Sequence, residues 1–209
     1  MAESFQQSAA LLAEISRTLY ARGWVLGTSG NFSAVVSRDP LRLAISPSGV
    51  DKGSLSADRI LLIDEHAKVV SEHSAKPSDE CPLHIRVALE LGAGAVLHTH
   101  SIWSTTLSDL HAADGGVSLE GYEMLKGLAG VRTHEHREWL PIIENSQDMT
   151  TLAGTVSRVL RENAGIHGFT LRRHGLYTWG KDLAEAKRHC EIIEFLLEAI
   201  GRTRLLTHR

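Results

Sequence analysis

The stretch that decides the fold is SDECPLHIRVALELGAGAVLHTHS, residues 78–101. Its first half offers helix N-cap candidates at Ser78 or Asp79, apolar residues at helical spacing, and a stop at Gly92. The apolar run over residues 95–100 then predicts a buried strand that ends in a histidine pair. A helix that leads directly into a buried strand favours an α/β fold.

The same patterns continue on both sides of this stretch. Further helices are predicted over residues 3–22, 122–128, 147–163 and 182–199, and strands over residues 32–37, 41–46, 60–63, 69–70, 169–172 and 176–179. Helices and strands intermingle without strict alternation, and no linker or repeat marks a boundary. Residues 1–209 are therefore predicted to form a single α/β domain with a mixed sheet.

Composition narrows the class of partner. The 209 residues carry a net charge of −3, which provides no basic surface for nucleic acid or an anionic membrane. Only two cysteines are present, and the N-terminus lacks the pattern of a signal peptide, so a cytoplasmic location is expected. No apolar run approaches the ~18–20 residues that span a bilayer. A small-molecule partner is predicted.

The pair His98 and His100 has the geometry of a metal site. Strand residues two apart point to the same side, so both rings can reach one ion, although two partly exposed histidines at a strand end would share this pattern. A catalytic Zn²⁺ takes three protein ligands. His174 is the best third candidate, because it interrupts a β segment and Gly175 lets the backbone bend there.

The other histidines are expected to be solvated. His134 and His136 form a rival pair, but they lie among charged residues with no apolar strand beneath them. Surface positions are also predicted for a further set without any constellation: His66, His73, His111, His167, His189 and His208.

Three small-residue loops look suited to an anion: residues 27–31, 46–49 and 77–79. Glycines let the backbone approach a ligand, hydroxyl and N–H groups donate to phosphate oxygens, and a helix start adds partial positive charge. Each loop alone is compatible with an ordinary turn. Lys52 and Lys76 could supply charge, but lysines beside loops are usually solvated.

Two carboxylates stand out. Glu80 falls in the first turn of the helix that leads to the histidine strand, so it could face the ion as a ligand or base, or simply favour the helix N-terminus. Glu123 lies in YEMLKG on a different face from Met124 and Leu125; by position alone it is a surface glutamate.

The motifs GTSGNFS, SPSG, KPSDE, HTH and HG, in this order over roughly residues 10–200, resemble the class II aldolase/adducin family. Within it, GAGAVLHTHS, YEMLKG, ENSQDM and RRHGLYTWG resemble the methylthioribulose-1-phosphate dehydratases of methionine salvage. The resemblance implies a three-layer α/β/α fold with a mixed, mostly antiparallel central sheet, and a homotetramer whose sites lie between subunits.

Carried over residue by residue, the resemblance implies one Zn²⁺ per subunit on His98, His100 and His174. It puts the aldolase catalytic glutamate at Glu80 and the dehydratase acid/base at Glu123. The implied phosphate-binding residues are Ser29, Gly30, Asn31, Ser48, Gly49 and Ser78. Asp79 stands where sugar-phosphate aldolases usually have a second serine.

The activity that this resemblance implies is a hydro-lyase reaction, dehydration of a 2-ketose 1-phosphate. An aldolase of the fuculose or rhamnulose phosphate type and a pentulose-phosphate 4-epimerase would use the same metal and loops, and spacing alone does not separate the three. A non-enzymatic, adducin-like interaction head is the remaining alternative. Such a head would not need the three histidines.

Overall fold

The computed structural model describes residues 4–71 and 75–207 and has a mixed eight-stranded sheet at its centre. The strands are β1 (Asn31–Arg38), β2 (Leu41–Ile45), β3 (Leu61–Asp64), β4 (Ala95–Thr99), β5 (Gly116–Glu120), β6 (Arg137–Ile143), β7 (Gly168–Leu171) and β8 (Gly175–Gly180). Their spatial order is β3-β2-β1-β4-β8-β7-β6-β5, and only β6 and β7 pair in parallel.

Helices cover both faces of this sheet. They are α1 (Phe5–Ala21), α2 (Cys81–Leu91), α3 (Ile102–Leu110), α4 (Met149–Glu162) and α5 (Leu183–Thr207). On β4, Val96 packs in one cluster with Val87 and Val156 of α2 and α4, whereas Leu97 packs in another with Leu12 and Cys190 of α1 and α5. Alternate strand residues thus serve opposite layers. The predicted three-layer α/β/α fold with a mostly antiparallel sheet is confirmed.

Capping side chains set several helix ends. Ser4 and Gln7 form a capping box at the start of α1, and Asp148 accepts hydrogen bonds from the backbone N–H groups of Thr150 and Thr151 at the start of α4. Gly92 ends α2 in a left-handed conformation with φ 63°. These ends lie within two residues of those predicted, although residue 3 itself is outside the described part.

Some elements differ from the predictions. Three elements, α3, β5 and β6, were not predicted, and residues 69–70 form no strand, since Val69 makes only an isolated bridge to Ile63. The serines and threonines of α3 are weak helix formers, and β6 contains Pro141 and begins with charged residues. The helix predicted over residues 122–128 is a 3-10 helix, Glu123–Gly127, and α5 continues to Thr207.

The length and apolar character of a helix decide whether it can cross a lipid bilayer. In residues 4–71 and 75–207, none is long and apolar enough to cross a membrane.

Candidate metal centre

Three histidines meet where β4 ends beside the β7–β8 turn. His98 is the penultimate residue of β4, His100 follows that strand, and His174 lies in the turn. The Nε2 atom of His98 is 2.8 Å from Nε2 of His100 and 3.4 Å from Nε2 of His174. One ligand atom from each residue lies within 4.8 Å of the others. The structure therefore brings together all three residues that the sequence analysis selected.

The β7–β8 turn is shaped by two unusual backbone positions. Arg173 has a positive φ of 56°, so it provides the left-handed turn expected at Gly175. Gly175 is required for another reason, because a Cβ there would lie 1.9 Å from the carbonyl oxygen of Thr99. The close contact between β4 and β8 holds His174 against His98.

The protonation states of the three rings suit a cation. His98 Nδ1 donates to the Leu176 carbonyl at 2.9 Å, which leaves a lone pair on Nε2 at the centre of the cluster. Burial lowers the pKa of His98 well below its ordinary value, and lowers that of His100 to about 4. Burial also lowers the pKa of His174, against the opposing charge of Glu80. Neutral imidazoles are the form that binds metals.

Glu80 faces this cluster from the start of α2. Its Oε1 atom is 3.4 Å from Nε2 of His174 and 3.6 Å from Nε2 of His98, and it has no well-formed hydrogen bond within the described residues, although the buried Tyr177 hydroxyl interacts with the Glu80 carboxylate. Its Oε2 atom accepts a 2.6 Å hydrogen bond from Asn31. A buried carboxylate oxygen beside converging lone pairs calls for a cation. Three imidazoles with a nearby carboxylate fit a divalent metal with an open position.

A cavity of about 240 Å³ opens beside the histidine cluster, with His100 and Glu80 in its wall. Every predicted phosphate-binding residue lines it: Ser29, Gly30, Asn31, Ser48, Gly49 and Ser78. Gly30 has φ +71°, and a Cβ there would approach the His98 carbonyl oxygen to 2.7 Å. The small-residue loops thus form one wall of the cavity, directly against the metal-type cluster.

Comparison with known proteins gives the family. The family model described as "Class II Aldolase and Adducin N-terminal domain" matches residues 10–200. The chain belongs to this family. Proteins named methylthioribulose-1-phosphate dehydratase from Sorangium cellulosum and Methylococcus capsulatus are 41% and 43% identical to it, and the alignments cover 93% of this chain and 92–93% of theirs. The predicted resemblance to the family and to its dehydratases is confirmed.

Solved structures of the family share the fold. YgbL from Klebsiella pneumoniae, described as a putative aldolase/epimerase/decarboxylase, has a TM-score of 0.79 at 24% identity and covers 96% of this chain and 91% of its own. An L-fuculose-1-phosphate aldolase from Thermus thermophilus has a TM-score of 0.76 at 23% identity, with 96% of both chains covered. The family typically uses a divalent metal, which the histidine cluster of this chain suits.

Lys52 is a buried residue of the cavity wall, contrary to the expectation from the sequence. Its side chain was expected to be solvated but is only 1% exposed, and its Nζ donates to the carbonyls of Thr28 at 3.2 Å and Val50 at 3.0 Å. Burial lowers its pKa to about 8, although nearby carboxylates oppose the shift. By contrast, Lys76 and Asp79 pair at the surface, outside the cavity. Lys52 is the cationic side chain in the cavity wall.

Glu123 lies apart from this cavity in the single chain. Its side chain is 72% exposed and forms a 2.7 Å ion pair with Lys126. The hydrogen bond from Lys126 lowers the pKa of the Glu123 carboxyl below its ordinary value. Together with Arg188 and Glu191 of α5, Glu123 lines a separate groove of about 310 Å³. The structure therefore brings Glu80, but not Glu123, to the histidine cluster of its own chain.

Several histidines are placed differently from expectation. His66 is at the surface as predicted, but the surface prediction is wrong for His167 and His189, which are buried, and for His111, whose side chain is only 14% exposed. Each of these three side chains is hydrogen bonded in its position. His167 contacts Glu138, His189 contacts the carbonyl of Trp179, and His111 contacts the nearby Asp114. The predictions for residues 73 and 208 fall outside the described part.

Two further groups could not be selected from sequence pattern. His84 is fully buried and contacts both Ser33 and Asn31, and His136 is bonded to the buried Glu138 at the start of β6 instead of lying in a solvated stretch. His84 follows the apolar spacing of α2, so its residue type was the only available signal.

Proposed function

We propose that this chain is a methylthioribulose-1-phosphate dehydratase, a hydro-lyase that converts 5-methylthioribulose 1-phosphate to 5-methylthio-2,3-dioxopentyl phosphate and water in methionine salvage. The observation that carries the proposal is the position of the three-histidine cluster beside a cavity that has His100 in its wall and whose other residues suit a phosphate. Relatives with this name at 37–43% identity support the choice of reaction within the family. A single domain over residues 1–209 and a cytoplasmic location complete the proposal.

The proposed metal is one Zn²⁺ per subunit, held by His98, His100 and His174. When bound, it would supply Lewis-acid polarisation of the substrate ketone at C2. The hydrogen bond between His98 and the Leu176 carbonyl fixes the ring whose Nε2 atom contacts the Nε2 atoms of both other histidines. The chain itself thus supplies neutral nitrogens in fixed orientations.

The proposed phosphate subsite consists of the loops around Gly30 and Gly49 together with Ser78 and Lys52. Two N–H groups of the Lys52 ammonium go to the carbonyls of Thr28 and Val50, which leaves one for a ligand. Asn31 donates to both Ser78 Oγ and Glu80 Oε2. This arrangement links the subsite to the carboxylate that faces the histidines, and it would hold the ketose in register.

The proposed acid/base group is Glu123, with Glu80 as the second candidate. One carboxyl takes the proton from C3 while the C4 hydroxyl leaves with a proton as water; the resulting enol gains a proton at C4 and loses the proton of its C3 hydroxyl to give the 2,3-diketone. Glu123 is outside the cavity of its own chain, so this role requires a neighbouring copy of a homotetramer to deliver it. In the single chain the Glu123–Lys126 pair keeps the carboxyl ionised, which is the form a base requires, but it also lowers the proton affinity of that carboxyl.

The test separates dehydration from the other chemistries of this fold. Purified protein is incubated with methylthioribulose 1-phosphate while substrate consumption and triose phosphate are followed. Consumption without triose phosphate supports the dehydratase; stoichiometric triose phosphate would establish an aldolase, and an isomeric ketose phosphate an epimerase. A preparation that binds metal but leaves the substrate unchanged would contradict the proposal. His98→Ala, which removes a proposed ligand, is the matched control and is expected to lose both metal and activity.

A further inference from the structure

Glu194 is a buried carboxylate on α5 that the proposed chemistry does not use. Its side chain is 1% exposed, and each oxygen accepts one short hydrogen bond. Thr99 Oγ1 donates to Oε1 at 2.5 Å, and Ser101 Oγ donates to Oε2 at 2.5 Å. Among the described residues, Glu194 takes part in no ion pair; one turn further along α5, Glu198 pairs with Arg202. Two neutral hydroxyls are its principal partners.

These two hydroxyls belong to the residues on either side of His100. Because strand side chains alternate, Thr99 points to the α5 layer while His98 points to the opposite side, towards Glu80. Ser101 is the N-cap of α3, where its Oγ also accepts from the Ser104 backbone N–H. One carboxylate therefore fixes the backbone on both sides of His100 without touching a histidine.

The same constraint continues along α3 to the third histidine. Thr105 Oγ1 donates to the carbonyl of His174 at 3.1 Å, and Ser108 Oγ accepts from the backbone N–H of Arg173 at 3.1 Å. Arg173 is the positive-φ residue of that turn. Thus α3, whose start is held by Glu194, fixes the backbone position of the His174 turn as well.

We infer that Glu194 is a positioning residue for the three-histidine site: it sets the spacing of the ligands through Thr99, Ser101 and α3. The inference rests on the proposed metal site. Burying a carboxylate among neutral partners is costly, and an apolar residue would fill this interior position more cheaply if packing were its only task. Burial raises the pKa of Glu194 to about 7, with the two hydroxyl hydrogen bonds opposing the shift.

The experiment measures equilibrium Zn²⁺ affinity by competition with a chromophoric chelator, in wild type, Glu194→Leu and Glu194→Gln. Loss of a hydrogen bond made directly to a metal ligand lowers metal affinity by about 10–100-fold, and because Glu194 acts through the residues beside His100, about tenfold is the expectation for Glu194→Leu. Glu194→Gln can still bond both hydroxyls and should remain within about threefold. Glu162→Gln, in the exposed pair with Arg158 on α4, is the control and should be unchanged.

Two additions keep the outcome decisive. The visible absorption of the Co²⁺-loaded protein reports ligand geometry, and it should shift in Glu194→Leu even at saturating metal. If that variant does not fold, Thr99→Val removes one of the two hydroxyls at constant shape and should weaken affinity. Unchanged affinity and spectrum in a folded Glu194→Leu or Thr99→Val variant, whatever its thermal stability, would overturn the inference. A wild-type protein that binds no metal would instead defeat the proposed function.

Discussion

Asn31 Nδ2 donates a 2.6 Å hydrogen bond to Glu80 Oε2, and this contact orients the carboxylate whose other oxygen faces His98 and His174. The amide oxygen of Asn31 is held in turn by Nε2 of His84. Because burial lowers the pKa of His84 to about 3, that ring is neutral, and it donates from Nε2 while Nδ1 accepts from Ser33. The donor and acceptor of each hydrogen bond in the series from Ser33 through His84 and Asn31 to Glu80 are therefore determined.

Replacing Asn31 tests that orientation. Asn31→Asp removes the donor and places a second negative charge beside Glu80, so we expect kcat/KM to fall by about tenfold or more, equivalent to at least ~1.4 kcal/mol of transition-state stabilisation. Asn163→Asp, at the C-terminal end of α4, is the matched control. The measurement is kcat/KM with the ketose phosphate; equal values for Asn31→Asp and wild type would remove Asn31 from the site.

The buried ammonium of Lys52 should determine affinity for the phosphate. Lys52→Met keeps the length of the side chain but removes its charge, so KM is expected to rise about tenfold or more with a smaller change in kcat. Lys76→Met, at the exposed pair with Asp79, should leave both constants unchanged. Inorganic phosphate should also protect wild type, but not Lys52→Met, against thermal unfolding. Equal protection of both would argue for a phosphate site elsewhere.

A buried pair next to the Glu123 loop should make stability depend on pH. Burial is the largest single influence and would raise the pKa of Glu138 and lower that of His167. The hydrogen bonds and the charge attraction between the two residues, with smaller contributions from neighbouring groups, together outweigh it, so the pKa of Glu138 is lowered and that of His167 is raised. The stabilisation that Glu138 contributes is present above its unfolded-state pKa of 4.5 and is lost as pH falls through its lower folded-state pKa. The stabilisation that His167 contributes is present below its unfolded-state pKa of 6.5 and is lost as pH rises through its higher folded-state pKa.

His167→Gln should therefore lower the free energy of unfolding most between pH 4.5 and 6.5, by about 1–3 kcal/mol, and less at pH 8–9. Denaturant titrations of the metal-free protein across this range measure the effect. Glu162→Gln, in the exposed pair with Arg158, controls for a general charge effect and should show no such window. A constant penalty at every pH would mean that the pair does not titrate as argued.

Mixing subunits tests whether Glu123 acts in a neighbouring chain. His98→Ala and Glu123→Gln should each lose activity by about 100-fold or more, since one lacks a ligand and the other the acid/base group. In randomly mixed tetramers, about one quarter of shared sites would combine an intact triad with an intact Glu123, so activity should return. Mixtures that stay inactive, while both parents form tetramers, would place Glu123 in its own chain's site or outside the reaction.

Local pattern was sufficient for the metal-type cluster. Strand alternation and the buried character of residues 95–97 put His98 and His100 on one side, and the break at His174 lies in a loop between two strands. Gly175 was selected for the wrong reason, because its role depends on the carbonyl of Thr99, which is 76 residues away in sequence. The His174-Gly175 motif therefore indicated the correct histidine even though the reason given for Gly175 was wrong.

Long-range contacts account for what the sequence could not supply. The burial of Lys52 depends partly on its contact with the carbonyl of Thr28, and that of Glu194 on hydroxyls more than 90 residues away. The strand β6 forms despite Pro141 because its residues pair with β5 on one side, whereas its pairing with β7 begins only at Ile142. No spacing rule reveals such partners, so Lys52 was expected to be solvated and Glu194 was not selected.

The most direct test of the central proposal is the mass of the product formed from methylthioribulose 1-phosphate by the Zn²⁺-loaded protein. The account predicts one product lighter than the substrate by one water, with carbon skeleton and phosphate retained, and no such product from the Glu123→Gln protein with its metal in place. A triose phosphate together with a sulfur-containing aldehyde would contradict it, because that pair of products requires cleavage of the C3–C4 bond.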